Sequence, residues 1–314
     1  MAGDQPYKIM PCDALPTQPQ WLYQQTVPVI AVAEGADQIT QSDNGYENTD
    51  VIVGCEKDAE GLATRIRKNP QAALVLVQVL RAQTLLPTAA ALDMESMAFA
   101  TLQAGDEFKT WLESYRGSNT TANANTDTKD GNDQPAIDMD RQGDVLTAVL
   151  NRPQTRNSIT VEMRDALVEL LTIMRVDTSV QRLLISARGA CFSVGGELAE
   201  FGSLINPSNA HWIRTVHSPA RLMAEHSGRI TCTVHGACIG SGIELPAFAS
   251  QLYAYKKTFF QLPELAMGLI PGAGGTVSIS RRIGRQKAGW WILSGKKITA
   301  QTALQWGLID KLLD

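Results

Sequence analysis

The sequence predicts an α/β fold with an added α-helical module, and three observations predict it. Strand-type and helix-type apolar patterns alternate from residue 144 onward, a helix-only pattern fills residues 55–116, and a polar tract separates the two. That tract, most polar over residues 117–133, holds almost nothing to bury and reads as a flexible linker over 117–139. The divisions expected are an irregular segment 1–54, a helical module 55–116, the linker, and a core 140–314. In the first, only residues 29–32 read as a short strand.

In the helical module, Asn69-Pro70 signals a helix start, and Ala72, Leu76, Val79 and Leu80 fall on one face. Asp93 signals a second start, followed by Met94, Met97, Ala98 and Leu102, with a stop at Gly105. Asp106 opens a third helix, with Phe108, Trp111, Leu112 and Tyr115 at helical spacing. These amphipathic helices need a surface to pack on. In the core, residues 144–150, 182–186, 230–234 and 252–255 read as strands. Thr160 caps a helix that turns Met163, Leu167, Leu170, Leu171 and Met174 inward.

The 314 residues are 44% hydrophobic, enough for a sizeable core. The net charge is −4, from 28 basic and 32 acidic residues well mixed along the chain, so the expectation is no nucleic-acid and no membrane partner. Neither an export signal nor a spanning apolar run is legible, and cytoplasmic placement is expected. Cys12, Cys55, Cys191, Cys232 and Cys238 are odd in number and widely spaced, which suits reduced, mostly buried thiols rather than a disulfide framework or a metal site. No metal is expected.

Chemistry concentrates in two turns. Residues 190–198 run from a strand end through Gly195-Gly196 into an apparent helix start, and residues 234–245 repeat the scheme through Gly240-Ser241-Gly242. Two such turns facing one another aim backbone N–H groups at one developing oxyanion, and a helix starting near Ser241 adds its positive end. Glu244 follows the second turn, and Glu264 follows Pro263 just ahead of Pro271-Gly272-Ala273-Gly274-Gly275-Thr276. Two carboxyl groups converging on one pocket divide the labour of a proton donor and a proton acceptor. Taken alone, Glu244 is equally a first-turn glutamate that favours a helix N-terminus, and Glu264 a surface or ion-paired residue.

These motifs, in this order, resemble the crotonase (enoyl-CoA hydratase/isomerase) superfamily over residues 144–314. The resemblance also takes in Arg156-Asn157-Ser158, Ser294-Gly295, Ala300 and Gly307-Leu308-Ile309-Asp310. It implies a spiral of ββα repeats, oxyanion-hole N–H groups at Gly196 and Ser241, and catalytic carboxyls at Glu244 and Glu264. It places coenzyme A against Arg156, Ser158, Ala190, Phe192 and Val194, the last through its backbone. Both carboxyls together resemble a hydratase, a lyase adding water to an α,β-unsaturated acyl-CoA. The alternatives are double-bond isomerisation or another reaction through the same enolate, or an acyl-CoA-binding subunit without catalysis. No cofactor is implied, because coenzyme A belongs to the substrate, and a homo-oligomer, trimeric or hexameric, is expected. The family's chain normally continues beyond the Gly-Leu-Ile-Asp motif into helices that residues 50–116 resemble, which implies a permuted order of the terminal helical segment.

Overall fold

The computed structural model describes residues 5–18, 20–34, 47–119, 134–202 and 206–314. Three strands, β1 (Lys8–Pro11), β2 (Val29–Val32) and β3 (Val51–Val53), form a parallel sheet in that order. The expected strand at 29–32 is β2, but its partners correct the reading of residues 1–54 as irregular. At four and three residues, β1 and β3 are too short to show a period. All four residues of β2 are buried, because Val29 and Ala31 face a small cluster with Leu15 and Leu22 while Ile30 and Val32 face the main core.

Four helices follow: α1 (Glu56–Lys68), α2 (Pro70–Gln83), α3 (Thr88–Gln103) and α4 (Asp106–Asn119). Pro70 begins α2 where its missing N–H costs nothing. Helix α3 starts at Thr88 just after Pro87, not at Asp93, so Asp93 lies within the helix. Asp50 fastens this part together. Its carboxylate accepts from the Val29 N–H at 2.9 Å and from Arg81 Nε and Nη2 at 2.8 and 2.5 Å, all buried.

The linker expected over 117–139 ends early, because β4 (Ile137–Gln142) pairs antiparallel with β5 (Val145–Leu150). Residues 120–133 of that linker lie outside the described residues. Helix α5 (Val161–Val176) comes next, capped by the Thr160 side chain on the Met163 N–H, and buries all five residues expected inward. Then follow β6 (Arg182–Ala187), α6 (Pro207–Val216), α7 (Pro219–Glu225), β7 (Ile230–Val234), β8 (Ala237–Ile239) and the short α8 (Ser241–Glu244). The chain ends with β9 (Gln251–Tyr255), β10 (Phe259–Gln261), α9 (Gly275–Ile283), α10 (Arg285–Ser294), β11 (Ile298–Thr299), α11 (Ala300–Trp306) and β12 (Lys311–Leu313).

A six-stranded sheet runs β12-β9-β7-β6-β5-β4, and a three-stranded one runs β11-β10-β8. The register lines up Ala148, Ile185, Cys232 and Leu252 across four parallel strands. All four are buried, so one row of alternate side chains forms the floor on which the turns stand. The amino-terminal helices share this core, since Leu76, Phe99 and Phe108 join one cluster with Leu150, Ile243 and Trp291. Helix α3 packs on α6 and α9, and α1 and α2 pack on α10. Glycine permits the approach: a Cβ on Gly272 would lie 2.2 Å from the Phe99 ring, and one on Gly268, where φ is 70°, 2.6 Å from Glu107 Cβ. No helix among the described residues is long and apolar enough to cross a membrane.

Candidate active site

The two turns singled out from sequence lie against each other. Phe192 N–H donates to His235 O at 2.8 Å, and Ile239 N–H donates to Ser193 O at 3.1 Å. A Cβ on Gly195 would stand 2.6 Å from Ile239 O, and one on Gly242 would stand 2.4 Å from Ser193 O. Only glycine allows that spacing. Gly196 and Ser241 therefore sit on facing turns, and among the described residues neither main-chain N–H has a hydrogen-bond acceptor.

The helix expected after Gly196 is a single 3-10 turn, Leu198–Glu200, closed by the Glu197 side chain on the Ala199 N–H. Helix α8 is four residues long, because Pro246 has no N–H with which to continue it. Neither turn carries a helix long enough for a large dipole. Charge at this point meets individual N–H groups instead.

Glu244 and Glu264 converge. At the position a Cβ would take on Gly240, Glu264 Oε1 is 2.8 Å away and Glu244 Oε1 3.9 Å away. Their surroundings differ. Glu244 Oε2 accepts from the Ala273 and Gly275 N–H groups at 2.8 and 2.9 Å, donors that the glycine-rich turn before α9 supplies. Glu264 stands in the 3-10 turn Glu264–Met267 with its Oε2 buried and, among the described residues, without a partner. Burial raises the Glu244 carboxyl to about 7, against the pull of those N–H groups and of Arg214. Burial, reinforced by the Glu244 charge, raises Glu264 well above the carboxylate range.

Residues 152–160 brace the first turn. Asn157 is fully buried, donates to Arg188 O and Cys191 O, and accepts from the Arg152 N–H. Both Arg156 and Asn157 adopt left-handed backbone. Of the residues that resemblance placed against coenzyme A, Arg156 and Ala190 are exposed, and the Val194 N–H donates to Arg156 O. Ser158 donates to Glu197 at 3.0 Å and the Phe192 ring lies in the core, so neither side chain points free. Cys191, Cys232 and Cys238 are buried, Cys12 is half-buried and Cys55 exposed. Burial holds the Cys232 thiol at about 12, far from reactivity.

Sequence reasoning missed Glu95 and Arg214. Glu95, on α3, accepts from Gly274 N–H, Thr276 N–H and Thr276 Oγ1 at 2.6, 2.8 and 2.6 Å. Arg214 donates to Gly272 O at 2.7 Å and stacks 3.7 Å from the Phe99 ring centre. The signal for Glu95 was an acid in line with Leu92, Phe99 and Leu102 on a buried helical stripe.

The family model for enoyl-CoA hydratase/isomerase matches residues 140–314. The chain belongs to that family. The matched span holds both facing turns and both converging glutamates, while Glu95 lies outside it. The chain is 34% identical over 172 residues to the 2,3-dehydroadipyl-CoA hydratase of Escherichia coli (strain K12), covering 55% of this chain and 67% of that protein. It is 30% identical over 169 residues to the mitochondrial enoyl-CoA hydratase of Pongo abelii, covering 52% of this chain and 56% of that one. It thus spans between about half and two thirds of these relatives. The crystal structure of an enoyl-CoA hydratase from Mycobacterium smegmatis matches at a TM-score of 0.53 and 26% identity, over 57% of this chain and 70% of that one. These matches agree with the expected α/β crotonase-like fold.

Proposed function

We propose that the chain adds water to an α,β-unsaturated acyl-CoA thioester, with Glu244 as base and Glu264 as acid. The observation that carries this is the convergence of two carboxyls in opposite settings. Glu244, held by two N–H donors, gives up its proton more readily than Glu264, which is buried with an oxygen that has no partner among the described residues. Water oxygen bonds to the β-carbon as its proton passes to Glu244, and the double-bond electrons move toward the thioester oxygen between Gly196 and Ser241 N–H. The enolate then takes the Glu264 proton at the α-carbon. A proton passing from Glu244 to Glu264 resets the pair.

Each oxyanion donor supplies about 3–4 kcal/mol in such reactions, and each acid or base about 10²–10⁴-fold. Coenzyme A would meet exposed Arg156 and Ala190 and the main chain of residues 192–194. The helices of 55–116, packed on α9 and α10, would occupy the place of the family's terminal helices in a permuted order, within a homo-oligomer. Crotonyl-CoA hydration by the parent, Glu244→Gln and Glu264→Gln chains tests the reading. Each variant is expected to lose about 10²–10⁴-fold in kcat. Rates equal to the parent would refute it, and conversion of 3-enoyl-CoA without hydration would favour isomerisation.

A further inference from the structure

The turn before α9 is gripped from two sides in alternation. Glu244 takes the N–H groups of Ala273 and Gly275, and Glu95 takes those of Gly274 and Thr276. Four successive donors are thus divided between two carboxyls, one from the family-matched core and one from the amino-terminal helices. Glu95 is 2% exposed, and its grip is itself braced, because Thr276 Oγ1 accepts from Gln83 Nε2 at 2.6 Å while donating to Glu95. Helix α3 also presents Phe99 to Arg214, which in turn holds Gly272 O.

We propose that Glu95 is a positioning residue for Glu244: by holding alternate N–H groups of residues 273–276 it keeps the other two aimed at the base. Free of that grip, Gly272-Ala273-Gly274-Gly275 has no polar side chain of its own to fix it. This rests on Glu244 being the base of the proposed hydration. Burial and the Glu244 charge also raise Glu95 to about 8, and Arg214 is attracted to both carboxyls.

A double-mutant cycle tests it, run on the full chain with crotonyl-CoA and with circular dichroism to establish folding. Glu95→Ala is expected to lower kcat about 10²-fold, with KM changed less than about threefold, as a misaimed base would. In the Glu244→Gln background the same change should cost less than about threefold, because the group it positions is gone. Glu95→Gln, which keeps one acceptor oxygen, should recover about tenfold of the loss, and it carries the test if the alanine variant does not fold. A folded Glu95→Ala chain with the parent's kcat, or losses that simply multiply in the double variant, would overturn the inference. Glu244→Gln alone with full activity would instead bring down the hydration reading on which it rests.

Discussion

The turn that holds Glu244 and the turn that holds Glu264 bury the same functional group beside Gly240 and surround it differently. The first offers main-chain N–H groups from a glycine-rich segment, with Arg214 near by. The second offers burial and leaves one oxygen unpartnered among the described residues. Burial raises a carboxyl's proton affinity and N–H donors lower it again, so burial lifts both glutamates while the donors on Glu244 hold part of its rise back. In the proposed hydration, the division into base and acid follows from where the N–H groups are.

The two glutamates should differ most in what they contribute to stability. Glu244→Leu leaves two N–H groups facing an apolar chain and is expected to cost about 1–3 kcal/mol for each. Glu264→Leu removes an oxygen that has no partner among the described residues, and should leave stability within about 1 kcal/mol of the parent or raise it. Urea unfolding of both variants measures the difference; equal costs would erase the distinction.

Gly240 separates the two acids. With φ at 50° and Glu264 Oε1 2.8 Å from its Cβ position, Gly240→Ala must displace Glu264. A misplacement of this kind should lower kcat by about 10²-fold, read by steady-state hydration of crotonyl-CoA.

Proton linkage gives a smaller effect. The unfolded chain titrates these carboxyls near 4.5, whereas the folded chain holds Glu244 at about 7 and Glu264 well above its ordinary value. Between those values the folded state binds more protons, so unfolding free energy should fall as pH rises from about 5 to about 8. Glu264→Gln should flatten that slope. Smallest of all, Ser241→Ala should leave kcat within about threefold, because the proposed donor is the main-chain N–H and the buried hydroxyl has no partner among the described residues.

The two facing turns were legible because their geometry demands particular residues. Gly195 and Gly242 are required where two backbones nearly touch, and Thr160 where a helix needs a cap. Much of the sheet was legible through alternation, as in β5 and β7. Strands β1, β3, β8, β10 and β11 were not, since two to four residues cannot display a period. Strand β4 was hidden by its exposed edge beside a polar tract. Glu95 was hidden by a boundary. A helix start at Asp93 places Glu95 in a first turn, where an acid draws no notice, whereas α3 begins at Thr88 and buries it in mid-helix. Its partners, Gly274 and Thr276, lie about 180 residues away, and no local pattern records a contact so distant.

The account stands on the two glutamates holding different protonation states, and carboxyl ¹³C NMR of glutamate-labelled chain measures this directly. Resonances are assigned by their loss in Glu244→Gln and Glu264→Gln. The account predicts Glu244 titrating near 7 while Glu264 stays protonated well above that pH. Two carboxyls ionising together in the ordinary range near 4.5 would contradict it.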